Sequence, residues 1–512
     1  MYHKRSVYYF LLIAISLTLL LPVFNLSFTY KYKTIYSKSF SKEQLFTTDN
    51  IESFRNYLLY KSFNISMNEP KVIAGKARYL FLGNKYGKII DKVEGKFSYT
   101  EKDIDQWTDR LKDLQTWYED NNIKFIIVIA PNKHSVYKDR LPDWIKTKSR
   151  TLTDDIVDHS KKRQINILDL RAILIDNKDK RPLYMKTDTH WNNVGAAIAY
   201  EATIDHINHI YNIQLKKPLY MLQDKYKGPG DLAYFLKINR FLPSDYDNVF
   251  TYDFKKELYV CHGEIDKGTG NLKKCKKALD PVMFINHDAQ YMNNNKALNT
   301  KRLLFLCDSF AGSGGGKVTH APLYNRTFRK IWKWHFTQLR GERLADFVTK
   351  YKPDLVIYQI VERDLYQDTI LTQLPTIIQE NLQENNILGK KIFDVSEDKF
   401  YKNNHFTLSD NNLHVYNTDP VIILNDLNTT SESVNIKIKI SSPKKTTFKI
   451  YYKKHLKDHY SESRTYFIGI NKGSNNIDLI VPGRYINNGL RIDLVNTKGR
   501  YIVGDFSIYE VP

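Results

Sequence analysis

In the stretch Tyr184-Met185-Lys186-Thr187-Asp188-Thr189-His190-Trp191-Asn192, an Asp stands two places before a His. On one short loop that spacing lets the carboxylate meet imidazole Nδ1 without any long-range fit, fixing the tautomer and leaving Nε2 free as a base. A nucleophile would complete a triad. Leu306-Cys307-Asp308-Ser309-Phe310 offers one at the end of an apolar run, ahead of a loop holding Gly312, Gly314, Gly315 and Gly316. A Ser there can expose its hydroxyl at the carboxyl edge of a parallel sheet, where open α/β folds place their sites, with main-chain N–H groups facing a developing oxyanion. Ser309, His190 and Asp188 therefore predict acyl-transfer chemistry. Taken singly the motifs are weak, since an Asp-Ser pair is usually a turn and an Asp-x-His pair usually only a hydrogen bond. A phosphate loop is a poor fit, because Val318 follows Gly316-Lys317 where Ser or Thr is needed. Neither His-Glu-x-x-His nor paired Cys-x-x-Cys suggests a metal, and no cofactor is expected.

The elements around these residues read as alternating helix and strand. Ile104, Trp107, Leu111, Leu114 and Trp117 recur at helical spacing behind a Thr100/Asp103 capping pair. Phe125 to Ala130 is a continuous apolar run ending at Pro131, the look of a strand buried on both faces. A helix over Thr153 to Lys162, a strand at Ile165 to Leu170, a helix over Val194 to Ile207 and strands at Arg302 to Cys307 and Asp354 to Ile360 extend the pattern. Helices at Leu344 to Lys350 and Thr369 to Gln383 are also expected, the latter kinked at Pro375. The alternation predicts a parallel sheet flanked by helices. Residues 210 to 300 are less periodic and are expected to form an insertion or lid.

The ends of the chain differ. His3, Lys4 and Arg5 precede the uncharged, mostly apolar run Val7 to Phe24, just long enough to span a bilayer. Without a clear cleavage site after it, an uncleaved anchor is preferred to a signal peptide, with the rest of the chain outside the cytoplasm. After about Val395, alternating runs such as Val434 to Ile440 and Leu490 to Leu494 predict a β-sandwich. The expected domains are thus residues 1–30, 31–395 and 396–512. Of three cysteines, Cys261 and Cys275 flank a Gly-containing loop and can pair in an oxidising compartment, whereas Cys307 reads as a buried thiol. With 77 basic and 56 acidic residues the net charge is +21, which favours an anionic partner such as an acidic polysaccharide or a membrane surface. No nucleic-acid-binding signature is present, and the scattered Lys residues also suit a plain solvated surface.

The combination of Asp-Thr-His-Trp-Asn before an Ala-rich helix with a later Asp-Ser-Phe after an apolar strand resembles the alginate O-acetyltransferase branch of the SGNH-hydrolase superfamily. The order Asp, His, Ser matches that branch. The resemblance extends through Tyr79 to Asn84, Ile129 to Tyr137 and Pro353 to Ile357 with Glu362-Arg363, roughly residues 75 to 385. It implies an SGNH-like α/β domain with Ser309 as nucleophile, His190 as base and then acid, and Asp188 orienting His190. It also implies that the acceptor is an exported polysaccharide, that the acetyl donor is a multi-spanning membrane acyltransferase, and that the catalytic domain lies in the periplasm, tethered to the inner membrane by one span. The carboxy-terminal sandwich is then a candidate carbohydrate-binding module. Lys133, Tyr137, Tyr184, Trp191 and Arg363 become candidates to line the substrate site. Cys307 departs from the family's Gly before Asp-Ser. Two other readings share these residues: a carbohydrate acetylesterase, and a non-catalytic polysaccharide-binding or assembly protein.

Overall fold

Strand alternation decides how the central domain is layered. The computed structural model describes residues 2–32, 42–96, 99–251, 261–267, 270–274, 276–277, 284, 289–312, 320–365 and 389–511, the last without 399, 403–404, 410, 418, 426, 454–455, 457–458 and 461–464. The helix expected over Thr369 to Gln383, the glycines after Gly312 and the half-cystine candidate Cys275 lie outside the described residues.

Three helices come first, α1 (Tyr2–Tyr32), α2 (Lys42–Phe46) and α3 (Asp49–Phe63), followed by a hairpin of β1 (Val72–Ala74) and β2 (Leu80–Leu82). Next, α4 (Glu101–Asp120) leads into β3 (Lys124–Ala130), and α5 (Leu152–Lys162) into β4 (Ile167–Asp169). The helix α6 (Asn193–Tyr211) starts directly behind the Asp-x-His loop. A surface hairpin of β5 (Met221–Lys227) and β6 (Asp245–Thr251) encloses the short α7 (Asp231–Phe235). After β7 (Cys261–Glu264), β8 (Lys276–Lys277) and β9 (Gln290–Asn293) come β10 (Asn299–Cys307), β11 (Phe328–His335), α8 (Glu342–Tyr351) and β12 (Leu355–Val361).

Eight strands form one sheet in the order β4-β3-β12-β10-β11-β9-β7-β8. The first five run parallel, and β9, β7 and β8 extend the sheet antiparallel. Because successive side chains point to opposite faces, Ile126, Val128, Leu303, Phe305 and Ile357 meet the Ala-rich face of α6 on one side. Phe125, Ile127, Leu304, Leu306 and Val356 meet α4, α5 and α8 on the other. Two cores flank one sheet, so the runs Phe125–Ala130, Leu303–Cys307 and Leu355–Val361 are nearly continuously apolar, with Gln359 a buried polar exception. The expected Thr100/Asp103 cap opens α4: Thr100 Oγ1 accepts from Asp103 N at 3.1 Å, and Asp103 returns the bond.

The stretch expected to be an insertion or lid instead supplies three sheet strands and the β5–β6 hairpin. Its strands β7 and β8 are the polar sequences Cys-His-Gly-Glu and Lys-Lys, β5 is largely exposed, and β9 buries Gln290, Tyr291 and Met292 in a run too short to show an apolar period. The strand β11 also went unanticipated, because exposed Arg329 and Lys330 interrupt it. The carboxy-terminal part is a sandwich of six-stranded and five-stranded sheets around an aliphatic core. Lys391–Asp394 pairs with Gly499–Val511 within it, so the sandwich begins before residue 396. At the other end, Arg5–Phe28 within α1 is long and apolar enough to cross a membrane.

Ile357 is fully buried at the middle of β12. Ile357→Ala is expected to cost about 2–5 kcal/mol through the cavity it leaves, read as a lower urea midpoint of the central domain.

Candidate active site

The Asp-x-His loop is closed at its base and hung from buried carboxylates. Tyr184 and Trp191 form an isolated antiparallel bridge, and Asn192 ends the loop by capping α6, its Oδ1 accepting from the N–H groups of Val194 and Gly195. Asp245, at the start of β6, accepts from Lys186 N at 3.1 Å, Thr187 N at 2.6 Å and Thr187 Oγ1 at 2.7 Å. Asp188 Oδ1 accepts from both the His190 main-chain N, at 3.0 Å, and His190 Nδ1, at 2.7 Å. Asp231 completes the frame: its N donates to Asp188 Oδ2 at 3.3 Å and its Oδ1 accepts from Thr189 N at 2.7 Å.

This frame needs a glycine. A Cβ on Gly230 would stand 2.3 Å from Asp188 Cβ, although the Gly230 φ of −85° suits any residue. The requirement is therefore one of close approach, not backbone conformation. Gly228-Pro229-Gly230-Asp231 is a turn signal in the sequence, but nothing local ties it to Asp188. Asp231 and Asp245 were missed for the same reason.

The electrostatics follow from burial and proximity. Burial acts to raise the Asp188 carboxyl, but the hydrogen bond and charge of His190 more than offset it and hold the group well below the usual range. Burial acts to lower His190; Asp188 and then Asp231 outweigh it and leave the imidazole more basic than usual. Asp231 is pushed up by burial and by the Asp188 charge. With Asp188 ionised, Nδ1 is the donor and Nε2 carries the free lone pair; among the described residues Nε2 has no hydrogen-bond partner. One atom each of Asp188, His190 and Asp231 lie within 4.8 Å of one another, a spacing that could hold a metal ion. Here Asp188 and His190 already bond to each other, and the Asp231 carboxylate accepts from the Thr189 N–H.

Ser309 lies half-buried just past β10, between two anchors. On one side Asp308 accepts from Phe310 N at 2.9 Å and from Val361 N at 2.5 Å, tying the turn to the end of β12. Burial raises the Asp308 carboxyl to about 6. On the other side Trp191 Nε1 donates to Phe310 O at 2.9 Å, and the Phe310 ring packs on His190 with centroids 5.1 Å apart. The Asp-Ser-Phe turn and the Asp-x-His loop are thus in contact. No hydrogen bond joins Ser309 to His190 among the described residues, a separation common in unliganded sites. Cys307 is buried, and its Sγ approaches Trp334 O at 3.7 Å.

The other candidate residues divide in two. Lys133, Tyr137, Tyr184 and Trp191 are buried and bonded to main chain. Lys133 Nζ donates to Leu80 O and Lys186 O, joining β2 to the loop, and burial lowers its ammonium to about 8. Tyr137 Oη accepts from Leu183 N, Tyr184 Oη donates to Pro131 O, and the Trp191 indole holds Phe310 as above. Arg363 instead borders open space. Its guanidinium lies 5.6 Å over the Phe310 ring and donates to Asn132. It walls a cavity of about 290 Å³ that also includes Asn132, Asp169, Arg171 and Glu362. These residues follow or end β3, β4 and β12, which places the cavity at the carboxyl edge of the parallel strands.

A helix-flanked parallel sheet with Ser309 past one strand end and an Asp–His pair on the touching loop defines an SGNH hydrolase-like domain. Residues 72–257 match the family model described as the SGNH hydrolase-like domain of the acetyltransferase AlgX; the match includes Asp188 and His190 and ends before Ser309. Over these residues the chain is similar to the AlgX and AlgJ proteins. A Pseudomonas putida protein named "Probable alginate O-acetylase AlgJ" is 23% identical over 35% of this chain and 45% of its own length. A Pseudomonas aeruginosa protein of the same name is 21% identical over 43% of this chain and 52% of its own. The chain therefore spans about half the length of the curated relatives it matches. The solved structure of Bacillus cereus PatB1 is 16% identical, with a TM-score of 0.44, over 58% of this chain and 98% of that one.

Two variants test the frame. Gly230→Ala is expected to displace Asp188 and abolish turnover with circular dichroism unchanged. In Asp231→Asn the loss of a negative charge beside the imidazolium lowers the His190 pKa, so the acid limb of the kcat/KM profile is expected to move to lower pH.

Proposed function

We propose that this protein is an O-acetyltransferase that passes an acetyl group through a Ser309 acyl-enzyme to hydroxyls of an exported polysaccharide. The observation that carries the proposal is the ionised Asp188 holding His190 by Nδ1, with Nε2 unpartnered among the described residues beside the Asp-Ser-Phe turn. In the first half-reaction Ser309 Oγ attacks the acetyl carbonyl as Nε2 takes its proton, and the leaving group departs with that proton. In the second a sugar hydroxyl loses its proton to Nε2 and attacks the acyl ester, and Ser309 recovers the proton. In this reading the main-chain N–H of Ser309 and the Arg363 guanidinium, which lies over the neighbouring Phe310 ring, donate to the developing oxyanion. The cavity beside Arg363 receives the acceptor.

The remaining assignments follow from this reading. A multi-spanning membrane acyltransferase delivers the acetyl group, α1 anchors the chain in the inner membrane, the catalytic domain lies in the periplasm, Cys261 pairs with Cys275, and the sandwich binds carbohydrate. The +21 net charge suits an acidic polymer.

The test uses the full chain in detergent with a chromogenic acetyl ester and added oligosaccharides. Ser309→Ala is expected to lose both ester cleavage and acceptor acetylation by roughly 10³-fold or more, with its circular dichroism unchanged. Retained activity refutes the assignment of Ser309. Ester cleavage without acetylated acceptor makes the protein an esterase.

A further inference from the structure

The helix α3 is inside out. Its buried positions are Asn50, Ser53, Asn56 and Tyr60, whereas Ile51, Phe54 and Leu58, spaced three and four residues apart, are 45%, 37% and 44% exposed. A helix on a water-facing surface turns its apolar stripe inward. Here the inward face is polar because it bonds to the segment after α7. Asn56 Nδ2 donates to Leu236 O at 3.0 Å, Arg240 donates to Asn50 at 2.6 Å, and Lys237 pairs with Asp49 and Glu52. The outward stripe is extended by Phe46 on α2 and by Phe63 at the end of α3, both exposed.

The end of α1 packs beside this stripe. Asn25 is fully buried and donates to Leu45 O and Thr47 O, and it accepts from Asn50. Phe24 meets the Phe54 ring at 6.3 Å, and Phe28 and Phe54 both meet Phe241, at 5.4 and 6.1 Å. The Thr47–Thr48 turn that Asn25 meets is non-helical backbone with Thr48 exposed, and such backbone is not exposed to hydrocarbon, so Asn25 marks where α1 leaves the bilayer. From Arg5 to Phe24 the helix is about 30 Å long, the thickness of the hydrocarbon core. The α3 stripe therefore lies at the depth of the headgroups, continuous with the lipid-facing surface of α1.

We propose that the outward face of α3, with Ile51, Phe54 and Leu58, is seated in the phospholipid interface beside α1. Packed to α3 through the 236–241 segment, the central domain then holds one height and orientation on the membrane. This rests on the reading of α1 as a membrane span.

Full-length protein is reconstituted into phosphatidylcholine and phosphatidylglycerol vesicles, with and without dibrominated acyl chains, as parent, Phe54→Trp, Leu58→Trp and Tyr401→Trp, the last at an exposed sandwich position. With the protein retained after an alkaline wash, loss of the added emission in brominated vesicles is expected at positions 54 and 58 and not at 401. Retention without quenching at 54 and 58 overturns the proposal and leaves the span intact. Release by the wash overturns both. Shielding of 54 and 58 in native membranes but not in pure lipid assigns the stripe to a membrane protein and also overturns it.

Discussion

A buried carboxylate must be met by donors, and in this protein the Asp188 carboxylate sets that demand for everything around it. It faces the His190 ring and main chain, the Asp231 N–H and the bare Cα of Gly230. Each contact comes from a different constraint: a two-residue spacing, a helix start and a missing side chain. Asp245 repeats the arrangement one step earlier in the loop, collecting Lys186 and Thr187. The cation buried within reach of these carboxylates is Lys133, whose ammonium also fixes two carbonyls. Buried charge that is paired and fully hydrogen-bonded rigidifies, whereas the same charges unpaired would unfold the loop.

The sheet supplies the second half of the geometry. Strands β10 and β12 end together because Asp308 takes the Val361 N–H, so the turn carrying Ser309 cannot move without the strand that leads to Glu362 and Arg363. Glu362 accepts from Asn132 N and Ser135 Oγ and thereby ties the end of β3 to the same edge. Cys307 fits where the branch it resembles has Gly: its small side chain is buried at the last strand position, and burial keeps the thiol neutral by raising it to about 12. It is a packing residue beside the nucleophile candidate.

Around α3 the usual rule of burial is reversed, and the reversal has a local cause. The polar face of α3 is needed to hold the 236–241 segment, which follows directly from α7, the helix whose first residue is Asp231. The chain that frames His190 and the chain that meets the end of α1 are thus one continuous stretch, so the Asp-x-His loop and the end of α1 are mechanically related.

Local pattern in the sequence determined a good deal. The capping pair of α4, the apolar runs of β3, β10 and β12, the Ala-rich α6 and the alternating strands of the sandwich are legible because their period or their caps are local, and so was the Asp188–His190 bond, whose partners are two residues apart. What only the tertiary structure decided has the opposite character. Asp231 and Asp245 reach the loop across more than forty residues, β7 to β9 are too short or too polar to show an apolar period, and the side chains of Lys133, Tyr137, Tyr184 and Trp191 are buried against main-chain groups that no spacing reveals. Side-chain type and short-range period are written in order along the chain; burial, and the donors a buried charge finds, exist only after distant segments have met.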